Sequence, residues 1–415
     1  DAPAGRRAVV IGAGVVGACA ALALLREGFR VTLIDRGAPG EACSAGNAGR
    51  LAVGLCIPWS LPGLLRQVPG MLLDPREPLK IGWRRLPRLL PWFVRFLRAG
   101  GAGRVERIAD ALDALLKPGF LAYQALLSKE DVASLFRRDG YLYVYASPGS
   151  LARTAYGFDL ARRRGVAIEE VEGGRLRELA PELGPAAALA HFWPDEVHTV
   201  NPLRLVKTVA ARYLGEGGRL VRETALGFEF AAEPPHHAVT DAGRHPFDAA
   251  VLAAGVWSKP LARGLGYRAP LEAEGGYHVM LPSPGVRLGR PVNFVDRRIT
   301  LTPLEDGLRI AGGSYFFGPG GSSRWPDAEL ALEAAREILP GLDAGGWTVW
   351  TGARPSLPDS LPAIGRCPRH ASVLFAFGHG HIGLTAAAVT GRLVAELAAG
   401  RPPSIDLAPY RPERF

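Results

Sequence analysis

The sequence predicts an α/β chain, α+β overall, in which a Rossmann-like dinucleotide-binding domain is interleaved with a second domain built on a mixed or antiparallel sheet. Three observations predict it. A glycine turn joins a short buried strand to a helix near the N-terminus. An apolar strand ending in glycine recurs much later in the chain. Between them lie alternating segments that read as sheet.

Ala8 to Ile11 is an apolar strand, followed at once by Gly12-Ala13-Gly14-Val15-Val16-Gly17. Ala18 to Arg26 reads as a helix stopped by Gly28, and Val31 to Ile34 as a second strand closed by Asp35. Gly12 permits the tight turn, Gly14 lets backbone approach a pyrophosphate, and Gly17 lets the helix pack on the strand. The helix N-terminus offers free N–H groups to the phosphates, and Asp35 is placed for the adenosine ribose. Charge-free Ala8–Leu25 after Arg6-Arg7 mimics a signal peptide or membrane span, but its glycine spacing argues for the nucleotide turn. The motif alone does not choose between NAD and FAD. With no second copy and no redox cysteine pair, one flavin reduced directly by an organic substrate is the simpler reading.

The 415 residues carry a formal charge of +9, and 44 of the 49 basic residues are arginine. No nucleic-acid-binding module accompanies that excess, so no nucleic-acid partner is expected. The four cysteines, Cys19, Cys43, Cys56 and Cys367, form no metal-ligand or disulfide-framework spacing. A reducing, cytoplasmic setting and no metal are expected.

Further blocks follow in order: Ser44-Ala-Gly-Asn-Ala-Gly49, Asp248-Ala-Ala-Val-Leu-Ala-Ala-Gly-Val-Trp-Ser258, Gly352-Ala-Arg-Pro-Ser-Leu-Pro-Asp359 and Gly378-His-Gly-His-Ile-Gly-Leu-Thr385. Together with the glycine turn they resemble the D-amino-acid oxidase/glycine oxidase/sarcosine oxidase superfamily of FAD-dependent oxidoreductases. Its bacterial D-amino-acid dehydrogenase and hydroxyproline dehydrogenase branch is the nearest in look. The resemblance implies FAD held by Gly12, Gly14, Val15, Val16, Gly17, Asp35 and Arg36. It adds Asn47, Ala48 and Gly49 near the flavin ring and ribityl chain, the backbone around Ala225 at the adenine, Ala254, Gly255 and Trp257 at the strand end that passes near the FAD, and Ser44 and Leu51 as further cofactor contacts. Gly380, His381, Ile382, Gly383, Leu384 and Thr385 open a helix whose N–H groups meet the ring where negative charge grows.

By the same resemblance Arg354 grips a substrate carboxylate; a planar guanidinium suits that task. His381, Tyr277 and His278 are the other candidate substrate contacts, each with a structural role as the alternative. Tyr315, Phe316 and Phe317 are candidates for an apolar side-chain pocket, with core packing equally open. The implied reaction is hydride loss from Cα of a D-amino acid or proline-type imino acid. Sarcosine oxidases use a flavin-facing lysine toward oxygen. Residues 266 to 330 hold no lysine, which favours a quinone or another non-oxygen acceptor. The alternatives are a peroxide-forming oxidase of the glycine or sarcosine type and a flavoprotein subunit of a hetero-oligomeric dehydrogenase.

Residues 79 to 105 contain seven bases, no acid, and the interleaved aromatics Trp83, Trp92, Phe93 and Phe96. Pro87 and Pro91 are expected to break any long helix there. The stretch predicts a peripheral contact with the inner face of the cell membrane; a solvated basic face is the alternative. Residues 1–50, 200–265 and 346–415 are assigned to the FAD-binding domain, and 51–199 and 266–345 to the substrate-binding domain. Strands are expected at Tyr141–Ala146, Gly276–Leu281, Pro291–Val295, Ile299–Pro303 and Leu308–Gly313. Helices are expected at Pro202–Leu214 and Asp327–Leu339.

Overall fold

The computed structural model describes residues 5–65, 79–316 and 325–415. The opening run forms strand Arg7–Ile11, a turn, and helix Val15–Arg26, which starts three residues earlier than expected and leaves only the glycine turn outside it. Strand Arg30–Asp35 then returns parallel to the first, with Val10 opposite Leu33.

A six-stranded sheet grows around this unit. Its order is Arg219–Arg222, Arg30–Asp35, Arg7–Ile11, Ala249–Leu252, Val373–Phe377, Ala363–Arg366. The first five strands are parallel and the last is antiparallel. Ala249–Leu252 and Val373–Phe377 are buried throughout, as strands covered on both faces must be. The chain runs outward from Arg7–Ile11 in both directions, so a crevice opens at the carboxyl ends of Arg7–Ile11 and Ala249–Leu252. Helices Val15–Arg26 and Gly383–Ala398 pack together beside it. A three-stranded antiparallel sheet, Ala225–Glu229, His236–Thr240 and Arg244–Phe247, flanks this layer.

The second large sheet roofs the crevice. Its order is Thr348–Ser356, Glu272–Leu281, Gly307–Phe316, Ile299–Leu304, Val292–Phe294, Tyr141–Tyr145, Leu189–Trp193, Glu169–Glu172, with Leu79–Ile81 added beside Gly307–Phe316. Helix Trp325–Ile338 covers one face, where Val279, Leu281, Ile310, Ala335 and Ile338 share a core. Strand Thr348–Ser356, assigned from sequence to the FAD-binding side, is hydrogen-bonded to Glu272–Leu281 along its length. The nucleotide-side sheet takes up the chain again only at Ala363. Helices Ala102–Leu116 and Gly119–Leu126, assigned to the substrate side, bury Ile108, Leu112, Leu115 and Tyr123 in the core that holds the first and last long helices.

The basic stretch also departs from expectation. Leu86–Ala99 is one helix through Pro91. Pro87 occupies its first turn, where a missing N–H costs nothing. The carbonyl that Pro91 leaves unbonded is that of Pro87, and both prolines are exposed. Trp92 is buried, and its Nε1 donates to the Ser356 carbonyl at 3.3 Å. It packs with Phe93, Phe96 and Phe316, so these aromatics turn inward rather than to a bilayer. Phe316 is thereby a core residue, and Phe317 lies outside the described residues. Among the described residues no helix is long and apolar enough to cross a membrane.

Candidate active site

The floor of the site is the glycine turn. Gly12 has φ +104°, and a Cβ there would lie 2.4 Å from the Ala253 carbonyl oxygen. A Cβ on Gly17 would lie 1.7 Å from the Gly12 oxygen. Both positions therefore require glycine, one for conformation and both for space. Asp35 Oδ2 accepts from Ala13 N at 2.7 Å and Oδ1 from Gly37 N at 2.8 Å, so its carboxylate holds the turn from the neighbouring strand. Ser44 Oγ accepts from Val15 N at 3.0 Å. Gly14 caps the helix without a side-chain hydrogen bond, leaving first-turn N–H groups, Val16 and Gly17 among them, without intrahelical partners.

A second bare helix start faces the same crevice. Ile382 precedes helix Gly383–Ala398, again with no side-chain cap. Gly380 N donates to the Pro355 carbonyl at 2.9 Å, and Thr385 Oγ1 accepts from Ala52 N at 2.9 Å. Leu384 is buried, and its carbonyl accepts from the Tyr123 hydroxyl. His379 is buried against Thr390 Oγ1 at 3.0 Å, and burial pushes it down to about 3: it is a neutral structural histidine.

The loop Ser44–Gly49 closes one end. Asn47 Oδ1 accepts from Gly49 N at 2.8 Å. Arg309 Nη1 donates to the carbonyls of Ala45 and Asn47 at 2.9 and 2.5 Å. Burial lowers Arg309 to about 10. Ala48 lies within this braced loop, and Leu51 is buried in the short strand Arg50–Leu51, paired with Val197–Thr199. At the opposite end the Arg36 guanidinium lies 4.2 Å over the Trp257 ring, tying the end of the second strand to the Gly255–Trp257 turn that follows Ala254. Ala225 and Ala254 pack against the same apolar cluster.

The roof supplies the charged groups. Strand alternation and register put Glu274, Gly276 and His278 on one face of Glu272–Leu281, opposite Arg354, Gly352 and Trp350 respectively. The Arg354 guanidinium lies over Gly276, where a Cβ would come within 2.2 Å of Nη1. That nitrogen donates to the carbonyls of Gly313 and Gly275 at 3.0 and 3.3 Å. Nε and Nη2 have no acceptor among the described residues, so a fork remains for a carboxylate.

Two of the expected substrate contacts are corrected. Tyr277 faces the other side of its strand. It is buried in the apolar core, and its hydroxyl donates to the Asp327 carbonyl at 2.8 Å. Burial pushes that phenol up, as a core tyrosine's should be. Tyr315 packs against it in the same core. His278 faces the site side but is spent on the loop. It stacks on Trp350 at 5.2 Å and donates from Nδ1 to the Gly46 carbonyl at 3.2 Å. Burial lowers it to about 3, so it is neutral.

Sequence reasoning missed Glu274. It is 7% exposed and bonds to His381 Nε2 at 2.9 Å, the Ser356 hydroxyl at 2.7 Å and the Ser314 hydroxyl. Burial alone would raise its carboxyl. The charge and hydrogen bond of His381, with Arg354 and Ser314, hold it well below the usual range instead. Glu274, Ser356 and His381 line a small cavity with Trp59, Trp92 and Phe96. Its one signal in the sequence was the alternation Glu274–Gly276–His278 two residues apart.

These features fit FAD. Two uncapped helix starts offer N–H groups at separate points of one crevice, matching a pyrophosphate and the pole of a flavin that becomes anionic. The chain matches the family described as "DAO: FAD dependent oxidoreductase" over residues 7–397. It is 38% identical, over the full length of both chains, to a D-amino-acid oxidase of Bradyrhizobium diazoefficiens. It is 30% identical to D-amino acid dehydrogenase 2 of Mesorhizobium japonicum, covering 96% of this chain and 97% of that one. Its fold superposes on glycine oxidase from Geobacillus kaustophilus with a TM-score of 0.75, 21% identity and 99% coverage of both chains. Crevice, roof and comparisons agree: the chain belongs to the DAO family of FAD-dependent oxidoreductases.

Proposed function

We propose that this enzyme oxidises the α-amino group of a D-amino acid, or the ring amine of a proline-type imino acid, and passes the electrons to a quinone or another non-oxygen acceptor. The observation that carries the reading is Arg354: its free fork lies on the roof face bordered by the loop Ser44–Gly49 and the bare start of Gly383–Ala398. FAD, when bound, supplies the hydride acceptor. Arg354 holds the carboxylate and so fixes which substituent of Cα points at the ring. Trp59, Trp92 and Phe96 line the small cavity beside His381. The bare helix start at Ile382 favours negative charge on its neighbour. The chain divides in this reading into an FAD-binding domain (1–50, 200–265, 346–415) and a substrate-binding domain (51–199, 266–345), with Thr348–Ser356 lending Arg354 to the roof.

The similarity to a named D-amino-acid oxidase supports a second reading, peroxide formation in air. The absence of lysine from the roof strands Glu272–Leu281, Gly307–Phe316 and Thr348–Ser356 favours the first. For a membrane quinone, the docking face is the outer side of helix Leu86–Ala99, where exposed Leu90 and Val94 lie one turn apart among Arg88, Arg95 and Arg98.

The test is anaerobic. The yellow protein is mixed with a panel of D- and L-amino acids and prolines, and bleaching is followed. Bleaching by D-amino acids or prolines is the expected result; no bleaching by any of them overturns the reading. Peroxide release with substrate and air alone selects the oxidase.

A further inference from the structure

Glu274 has no part in the chemistry above, yet it is the most thoroughly bonded carboxylate of the site. Its three donors come from separate elements: Ser314 on Gly307–Phe316, Ser356 on Thr348–Ser356, and His381 on the turn before the C-terminal helix. An ionised carboxylate only accepts hydrogen bonds. The hydrogen between the two residues therefore belongs to His381 Nε2. Nδ1 is then the free nitrogen, an acceptor whenever the ring is neutral. The His381 side chain is 24% exposed, with Trp59 packed on it at 4.2 Å.

Few other charges face this pair. Arg354 stands across from Glu274 in the strand register. Cys43 lies near enough to Arg354 to feel its charge, and burial raises that thiol. His379 is turned away to Thr390 and is neutral. Thus a carboxylate fork and a nitrogen acceptor sit on either side of one buried anion.

An amino acid arrives at neutral pH as an ammonium, which has no lone pair with which to expel hydride. We propose that His381 Nδ1 takes a proton from the substrate ammonium, and that Glu274 is the positioning residue that keeps Nδ1 free for it. The proton leaves R–CH(NH3+)–COO− for the imidazole, giving R–CH(NH2)–COO− and an imidazolium balanced by Glu274. With FAD bound, the Cα–H bond would break as the nitrogen lone pair forms the C=N bond, leaving R–C(=NH2+)–COO−; the hydride, carrying the two electrons the amino acid loses, would go to the cofactor, and the imidazolium returns its proton to water.

This inference rests on the amine-oxidising reading, so the test has arms that separate the two. In His381→Asn, anaerobic flavin reduction should fall roughly 100-fold or more at pH 7. It should then climb tenfold per pH unit as the free amine supplies its own deprotonated form, and added imidazole should restore part of the loss. Glu274→Gln should shift the acid limb of the wild-type profile. Propionate, which lacks the amine, should perturb the flavin spectrum with wild-type affinity in His381→Asn, and at least as tightly in Glu274→Gln, where an anion beside Arg354 is gone, showing that the fold and Arg354 are intact. Nitrogen-15 histidine spectra of the resting holoenzyme at about pH 9, taken so that the ring is read in its neutral form, should show the His381 signal, identified by its loss in His381→Asn, as the Nε2–H tautomer. A wild-type pH profile in His381→Asn, or hydrogen on Nδ1, overturns the inference alone. A wild-type enzyme bleached by no amino acid overturns the underlying reading and this one with it.

Discussion

Gly391 of the C-terminal helix rests on the backbone of Cys19 in the first helix: a Cβ at Gly391 would lie 2.7 Å from the Cys19 carbonyl carbon and 3.0 Å from Ala20 N. Both neighbours are backbone and cannot swing aside. Gly391→Ala is expected to destabilise the holoenzyme by about 1–3 kcal/mol, with earlier release of flavin, read by thermal denaturation followed by flavin fluorescence. An unchanged melting curve would show that the two helices part more easily than their spacing implies.

Arg354→Ala should raise KM for carboxylate substrates steeply, at a cost on the order of 2–5 kcal/mol. Arg354→Lys should recover only part of it, since a point charge lacks the planar fork. Steady-state kinetics over a substrate series checks this; an unchanged KM removes Arg354 from the site.

Asp35→Ala leaves Ala13 N and Gly37 N without their acceptor and loosens the glycine turn. Flavin retention should weaken by about 1–3 kcal/mol, measured as the fraction of yellow protein surviving gel filtration. Full retention would contradict the bracing role given to this carboxylate.

His278 carries a pH dependence. Its ring titrates near 6.5 when unburied and about 3 in the fold. The folded value is the lower, so its contribution to stability is complete above about 6.5 and drains away as pH falls toward 3. Two units below the unburied value, at pH 4.5, the loss amounts to about 2–3 kcal/mol. Urea denaturation at pH 7 and 4.5 should show that loss in the wild type and not in His278→Gln.

The outer face of helix Leu86–Ala99 predicts salt-sensitive binding to vesicles containing anionic phospholipid. Pairing Leu90→Glu with Val94→Glu should abolish co-sedimentation while leaving soluble-dye reduction unchanged. Equal sedimentation of variant and wild type would exclude this face.

The nucleotide unit was legible because its signals are local. The turn, its helix and the next strand fall within 30 residues, and each glycine has a steric reason there. The roof was not, because its meaning lies in register. Alternation says that Tyr277 and His278 face opposite ways, but not which way is inward. That is set by pairing with a strand some 80 residues later, which puts Glu274 opposite Arg354. Glu274 itself, amid small and charged neighbours, reads as an exposed strand end until three hydroxyl and imidazole donors converge on it. Pro91 misled for a similar reason: the rule that proline breaks a helix weakens where the orphaned carbonyl meets water.

The crevice takes one wall from the turn and helix at residues 12–26 and another from Gly383–Ala398, roughly 370 residues later. On the ribosome, then, the opening turn waits, exposed and without its facing helix, until that second helix has emerged. A nascent chain arrested before residue 383 should retain no flavin, however well its first hundred residues have folded.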